Sequence, residues 1–359
     1  MYRTILSKIA YSILVIWGVV SIIFFLFNVL PGDPARMMLG QRADMQTVEL
    51  IREELGLNEP LTKQYFRYLN DLSFISLYNL EDDNSYFYFS TEKYGDPAVL
   101  FRTGSESALL LKKPYLGRSF QNNRPVGEMI GEALPNSLIL AFTAILIAFL
   151  TGNLIGVAAA LRKDTVFDRL SILFSTMGMS LPSFFAAILI GWLFAYKLGH
   201  VTNLNLTGNL YEIDDLGRGI HLELKNLILP AITLGIRPLS VVVQLSRNSM
   251  LDVLSKDYIR TAYSKGIPER RILFRHAFRN SLSPVVTAIS GWFAGMLAGV
   301  VFVEYIFGWK GLGYLIVNAL NFYDLPVVLG SVLTIAVVFV IVNILVDVIY
   351  VVLDPRLRG

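Results

Sequence analysis

Cysteine is absent from the 359 residues, which excludes disulfide frameworks, thiolate metal sites and cysteine nucleophiles at the outset. Charge is scarce as well. Only 16% of residues are Asp, Glu, Lys or Arg against 54% apolar, where a soluble domain carries about a quarter charged residues. That deficit excludes an ordinary cytosolic enzyme. Histidine occurs three times, at His200, His221 and His276, without the His-Glu-x-x-His spacing of a catalytic zinc. His276 reads as an interfacial loop residue and not as a ligand. No Gly-Lys dipeptide occurs, so the loop that cradles phosphate and ends Gly-Lys-Ser/Thr is missing. Neither a Gly-x-Ser-x-Gly elbow nor a paired-carboxylate constellation is present. The net charge of +3 gives no footprint for nucleic acid. A non-enzymatic chain with no cofactor or metal of its own is expected.

What fills the space is apolar sequence without charge. A membrane-crossing helix needs about 20 such residues, because the hydrocarbon core is roughly 30 Å thick and each residue rises about 1.5 Å. Six stretches qualify: Ile9 to Leu30, Ala133 to Leu161, Leu170 to Tyr196, Asn226 to Ser246 interrupted only by Arg237, Asn280 to Val303, and Leu325 to Val346. The first has 22 uncharged residues and ends in Leu30-Pro31-Gly32-Asp33-Pro34, too long for a signal h-region and without its small-residue cleavage site. It is expected to be a retained helix.

Basic residues in short loops set orientation, because they resist translocation. With the N-terminus inside, one face collects fifteen: Arg3, Lys8, Arg162, Lys163, Arg169, eight between Arg247 and Arg279, Arg356 and Arg358. The short loops opposite hold four, Lys197, Arg218, Lys225 and Lys310. Six crossings with both termini cytoplasmic follow. The organisation expected is an N-terminal transmembrane helix over 1–30, an external segment over 31–132, and a five-helix core over 133–359 with a cytoplasmic loop at 247–279.

Between Gln46 and Leu72 apolar residues recur at helical spacing, broken by Gly56 and Pro60, which predicts two short amphipathic helices beside the membrane. Ser73 to Leu116 has no helical period; it holds Glu81, Asp82 and Asp83 and the aromatic run Tyr86 to Phe89, and reads as a folded or partly ordered external insertion. In the cytoplasmic loop, Leu251, Leu254, Tyr258 and Ala262 recur at helical spacing, and Lys265 with Gly266 predicts a helix stop at the glycine. Pro268 and Glu269 suit the first turn of a new helix, with Arg271, Arg275 and Arg279 four residues apart on one face. Such a helix suits the lipid headgroups. A helix, glycine, helix arrangement projecting into the cytoplasm suits docking of a soluble partner.

At this loop the chain resembles the coupling segment, the EAA loop, of ABC-importer permeases of the dipeptide, oligopeptide and nickel family. The residues are Asp257-Tyr258-Ile259-Arg260-Thr261-Ala262-Tyr263-Ser264-Lys265-Gly266 and Arg275-His276-Ala277-Phe278-Arg279-Asn280. Arg260, Thr261 and Ala262 align with the EAA triplet, Arg260 replacing its glutamate, and Gly266 aligns with its glycine. Further matches are Leu30 to Pro34, Leu55-Gly56-Leu57 with Pro60-Leu61, Leu116 to Phe120, Leu134 to Ser137, Gly156 to Ala159, Leu229 to Gly235, Phe307-Gly308-Trp309 with Gly311-Leu312-Gly313, Asn343 to Asp347, and Tyr350 to Arg356. Ser73 to Leu116 and the stretch around Asn203 to Gly219 look like insertions relative to that pattern.

The resemblance implies an all-α integral membrane protein of the type I ABC-importer permease kind, with six transmembrane helices, in a bacterial inner membrane. It implies a second homologous permease subunit, two cytoplasmic ATPase subunits that bind the ATP, and an external solute-binding protein, with import of peptides or a similar small solute by alternating access. Nickel or another small solute stays an alternative substrate. Tyr258, Arg260, Thr261, Ala262, Gly266 and Ile267 are the residues expected to contact the ATPase. A self-contained secondary transporter or channel is the rival class, but it would show repeats with paired broken helices.

Inside the expected crossings Arg237 is the one mid-membrane charge, to be read as lining the translocation path or as a structural cation beside Pro238. Glu304 and Asp347 lie near helix ends and read as interfacial. Gly291, Gly295 and Gly299 form a small-xxx-small stripe, expected to pack within the chain or against a partner.

Overall fold

The computed structural model describes residues 2–29, 35–36, 44–80, 85, 87–103, 107–213 and 219–353. The chain divides into two compact units. One is centred on Ala133–Val317; the other comprises Ala10–Glu132 and Asn318–Ala336. The Leu30 to Pro34 motif, Glu81 to Asp83, Tyr86, Arg218 and the segment from Asp354 onward lie outside the described residues, as do the side chains of Arg3, Lys8, Asp347 and Tyr350.

Among the described residues, three helices are long and apolar enough to cross a membrane: Val126–Leu161, Lys225–Leu254 and Leu325–Val346. Two bent pairs bring the number to five, and Ala10–Leu26 adds a shorter apolar helix. Where they are described, the six uncharged runs therefore fall on helices, but one of them is not a straight rod, and a further bend follows the Asn280 to Val303 run. The Leu170 to Tyr196 run breaks into Val166–Ser180 and Ser183–Lys197, bent by 113°. Pro182 is the cause: it offers no N–H and bars the helical region to the preceding residue, and Leu181 is extended at φ −75°, ψ 126°. The second bend, of 79°, separates Gly299–Phe307 from Leu312–Asn321, at Gly308 in the left-handed region.

The unit around Ala133–Val317 is packed on Leu140, Ala144, Leu229, Leu234, Val300, Phe307 and Trp309. Here glycine decides how closely helices approach. A Cβ on Gly156 would stand 2.6 Å from the Val243 carbonyl and 2.7 Å from Ser246 Cβ, and one on Gly152 2.6 Å from Val242. The Val126–Leu161 and Lys225–Leu254 helices thus touch through these two positions. The Gly291, Gly295 and Gly299 stripe is different: nothing lies within 4 Å of a Cβ at any of them. Among the described residues the stripe therefore packs against nothing, which favours the outward half of the expectation. Two short antiparallel strands, Tyr211–Ile213 and Ile220–Leu222, lie in and just beyond the insertion around 203–219.

In the other unit, Met45–Leu55 and Leu61–Leu72 form the two short helices expected. Asp44 caps the first, accepting from the N–H groups of Gln46 and Thr47, and those donors hold its carboxyl below the usual range. Gly56 ends it in the left-handed region at φ +68°. Tyr65 and Ser21 hydroxyls lie 2.6 Å apart, with Phe24 edge-on to Tyr65.

The insertion is folded. Strands β1 (Ile75–Asn79), β2 (Ala98–Thr103) and β3 (Ser107–Leu111) make an antiparallel sheet in the order β1-β3-β2, pairing Leu77 with Leu109 and Phe101 with Leu109. Tyr78, Phe89, Ala108 and Leu110 form its core. The fold is mainly helical, as expected, and the strands among the described residues are the short ones in and beside the two insertions.

Candidate functional site

The Lys225–Leu254 helix ends where the sequence period continues. Ser255 Oγ donates to the Asp252 carbonyl at 2.8 Å, a hydroxyl competing for helix backbone, and Lys256 is extended at φ −74°, ψ 147°. The continuous run expected from Leu251 to Ala262 is therefore two helices, with Asp257–Ser264 as a separate short one. It ends as expected. Gly266 sits at φ +70°, its N–H donates to Tyr263 O at 2.9 Å, and the Ile267 N–H to Ala262 O at 3.3 Å. These are the paired bonds of a glycine-terminated helix. A Cβ at Gly266 would meet nothing within 4 Å, so the demand for glycine is one of backbone conformation alone.

This short helix has two faces. Ile259 and Ala262 are buried against Ala160, Met250, Ile272 and Ala277. Tyr258, Arg260, Thr261 and Gly266 are exposed, and Ile267 is half-buried. Of the six residues expected to form a contact, Ala262 thus belongs to the packed face, at 7% exposure. Tyr263, Ser264 and Lys265 share the outer face, although only a helical wheel anchored on Ile259 would have placed them there. Arg260 pairs with Asp257 at 3.6 Å in full solvent, where screening leaves such a bond weak. Asn280 Nδ2 donates to the Tyr258 hydroxyl at 3.1 Å, tying the short helix to the root of the next one.

After Pro268 the chain runs Glu269–Arg271, a π turn Ile272–Phe278, and Arg279–Phe307 without a break. The interfacial helix expected after Pro268 is the first part of this longer helix, which corrects its separateness. In the π turn, Ile272 and Ala277, five residues apart, are both fully buried, on one side of a turn wider than that of an α-helix. Arg271, Arg275 and Arg279 stay exposed.

Farther along that helix stands Glu304, expected to be interfacial and in fact fully buried. Its Oε1 accepts from Ser137 Oγ at 2.6 Å, and its Oε2 from the N–H groups of Gly313 at 2.7 Å and Tyr314 at 3.3 Å. Ser137 Oγ accepts in turn from the Leu312 N–H at 2.8 Å. The first turn of Leu312–Asn321 is capped in this way, its orphan donors facing a carboxylate. A Cβ at Gly311 would collide with that carboxylate and one at Gly313 with Val301 backbone. The sequence Gly311-Leu312-Gly313 is explained by this approach. Asp324 does similar work in its own unit, accepting from Ser119 Oγ and from the Phe120 N–H at 3.0 Å.

Arg237 lies mid-helix in Lys225–Leu254 and is exposed on the chain's surface. Among the described residues its guanidinium has no hydrogen bond or ion pair within 4 Å, so the reading as an internally bonded structural cation has no support in the chain itself.

Long apolar helices and a glycine-stopped helix projecting from them are the parts of a membrane transport subunit, a permease. Residues 152–359 match the family described as binding-protein-dependent transport system inner membrane component, and residues 1–82 match its N-terminal companion. The chain belongs to that family, a type I ABC-importer permease family. It is 37% identical over 359 residues to a putative peptide transport system permease protein of Brucella abortus, covering 100% of this chain and 99% of the relative. It is 31% identical over 357 residues to the dipeptide transport system permease protein DppB of Alkalihalophilus pseudofirmus, covering 96% of each. The glutathione transport system permease protein GsiC of Salmonella typhimurium is 32% identical over 341 residues, covering 95% and 94%.

Proposed function

We propose that this permease imports peptides, or small solutes of peptide-like chemistry, as one half of a membrane gate whose motor is a pair of cytoplasmic ATPase subunits. The single observation that carries the reading is the outer face of Asp257–Ser264. Tyr258, Arg260, Thr261, Tyr263 and Lys265 are exposed there while Ile259 and Ala262 anchor the helix from below. A short helix whose inner face is packed and whose outer face is polar and aromatic suits insertion into a groove of a soluble protein. Gly266 and Ile267 set its exit. Closure of the nucleotide-bound ATPases would move this helix and, through it, the crossing helices.

The fifteen basic residues of the 162–169 and 247–279 loops and the two termini face the cytoplasm of a bacterial cell. The 31–132 segment faces outward, toward a solute-binding protein. A second, homologous permease completes the path, and Arg237, exposed and without an internal partner among the described residues, faces that path. Without a Gly-Lys phosphate loop, this chain leaves nucleotide binding to its partners. Peptide is favoured over nickel because the similar permeases are named for peptide, dipeptide and glutathione transport. The test is a photo-crosslinker at Tyr263 or Lys265 in cells that express the ATPases. Capture of the ATPase by these positions, and not by a crosslinker at buried Met250, is expected; capture by none of them contradicts the docking face.

A further inference from the structure

An ion pair between a buried carboxylate and a half-buried guanidinium lies one helical turn from the docking helix's support. Thr165 caps the Val166–Ser180 helix, accepting from the Asp168 N–H at 3.4 Å, after a turn in which Asp164 adopts φ +64°. Asp168 is 1% exposed. Its Oδ2 accepts from the Asp164 N–H at 3.0 Å and from Arg247 Nη2 at 2.7 Å, and its Oδ1 from Arg247 Nε at 2.5 Å. The guanidinium and the carboxylate are thus joined by two parallel bonds, the geometry that fixes relative orientation as well as distance.

Around the pair three helices meet. Ser246 Oγ donates to Asn153 Oδ1 at 2.7 Å, and Gly156 admits the backbone of Val243 and Arg247. Met250, one turn beyond Arg247, is fully buried in the cluster that holds Ile259 and Ala262. A continuous path therefore leads from the docking helix to Met250, along one turn of the Lys225–Leu254 helix to Arg247, and across the pair to Asp168. Apolar packing alone would let the Val166–Ser180 helix slide; a bidentate pair does not.

Resting on the importer reading above, we propose that Asp168 and Arg247 are positioning residues: a latch that carries movement of the docking helix into the Val166–Ser180 helix and the bend at Pro182. They touch neither solute nor nucleotide. What they set is how much transport each cycle of the ATPases yields.

The experiment uses the complete transporter in vesicles, with Asp168→Asn, Arg247→Lys and the exchanged pair Asp168→Arg/Arg247→Asp. The single variants are expected to co-purify with the ATPases at the wild-type yield and to hydrolyse ATP. Solute taken up per ATP should fall roughly tenfold, and the exchanged pair should regain most of it. Unchanged uptake per ATP in both single variants overturns the latch. A second readout needs only this chain. Because cysteine is absent, spin labels on cysteines placed at exposed Lys163 and Asp252 report one distance without background. Asp168→Asn should broaden its distribution; an unchanged distribution overturns the latch whatever the chain transports. Absence of ATP-driven uptake by the wild-type complex overturns the importer reading instead, and the spin-label distance still decides the latch.

Discussion

Asp168 and Glu304 belong to the same unit and are buried almost equally, at 1% and 0% exposure, yet they are satisfied in opposite ways. Asp168 meets a guanidinium on another helix. Glu304 meets a serine hydroxyl and two backbone N–H groups, in a pocket that two glycines leave just wide enough. Backbone donors belong to a helix end and cannot leave it, so Glu304 makes a fixed joint. A side-chain pair joins two separate helices and holds them in one orientation while both move. One carboxylate holds a corner of the fold, and the other links parts that have to move together.

The largest effect expected from this contrast is at Glu304. Glu304→Ala strands three polar partners in a dry site and should cost about 3–5 kcal/mol, read as a fall in the thermal unfolding midpoint of the detergent-purified chain. Asp168→Asn leaves Arg247 within reach of water and should cost about 1–2 kcal/mol in the same assay. Equal losses would erase the distinction between joint and latch.

The two glycine stripes sharpen it next. Gly156→Val must push against the Val243 carbonyl and should destabilise by about 1–3 kcal/mol. Gly295→Val has open space in the chain and should change stability by under about 1 kcal/mol. At Gly266 the effect is local: Gly266→Val opposes φ +70° by about 1–2 kcal/mol. It should abolish uptake while leaving membrane insertion intact, and Gly266→Asn should retain part of the uptake.

The smallest effect concerns the insertion. Burial pushes the Lys112 ammonium down to about 8 from 10.5, so between those pH values the unfolded chain holds a proton that the folded insertion has lost. Stability should therefore rise with pH from 8 upward. Burial raises the Tyr94 and Tyr115 hydroxyls above 10, so the trend should reverse near pH 10, where the unfolded chain sheds protons that the folded one keeps. Protease resistance of the insertion at pH 7, 8.5 and 9.5 measures this, and Lys112→Met should flatten the rise.

How much of this was legible beforehand depended on whether a residue's own type carries the signal. Gly266 could be read because glycine after a helical period has one common use, the left-handed stop. The six apolar runs could be read because a long uncharged stretch has few other uses. The bend at Pro182 was hidden by the same criterion: a run counted only for charge ignores the missing N–H within it. The break at Ser255–Lys256 left no mark, since both residues have ordinary backbone angles and the apolar period carries across it.

Glu304 was misread as interfacial because its partners are mostly backbone N–H groups, which no residue type announces. The stripes Gly152/Gly156 and Gly291/Gly295/Gly299 share one spacing, and only the neighbouring helix decides which is a contact. Asp168 and Arg247 are 79 residues apart, and each alone resembles any charge at the end of a membrane helix.

The central claim is that this chain is a gate without a motor, worked through the Asp257–Ser264 helix. It is tested most directly by reconstituting the purified chain in vesicles, with and without its partner permease, ATPases and solute-binding protein, and measuring peptide uptake on addition of ATP. Uptake only with the full set, lost in Gly266→Val, is the result predicted. Uptake by this chain alone, or ATP-driven uptake unaffected by Gly266→Val, would contradict it.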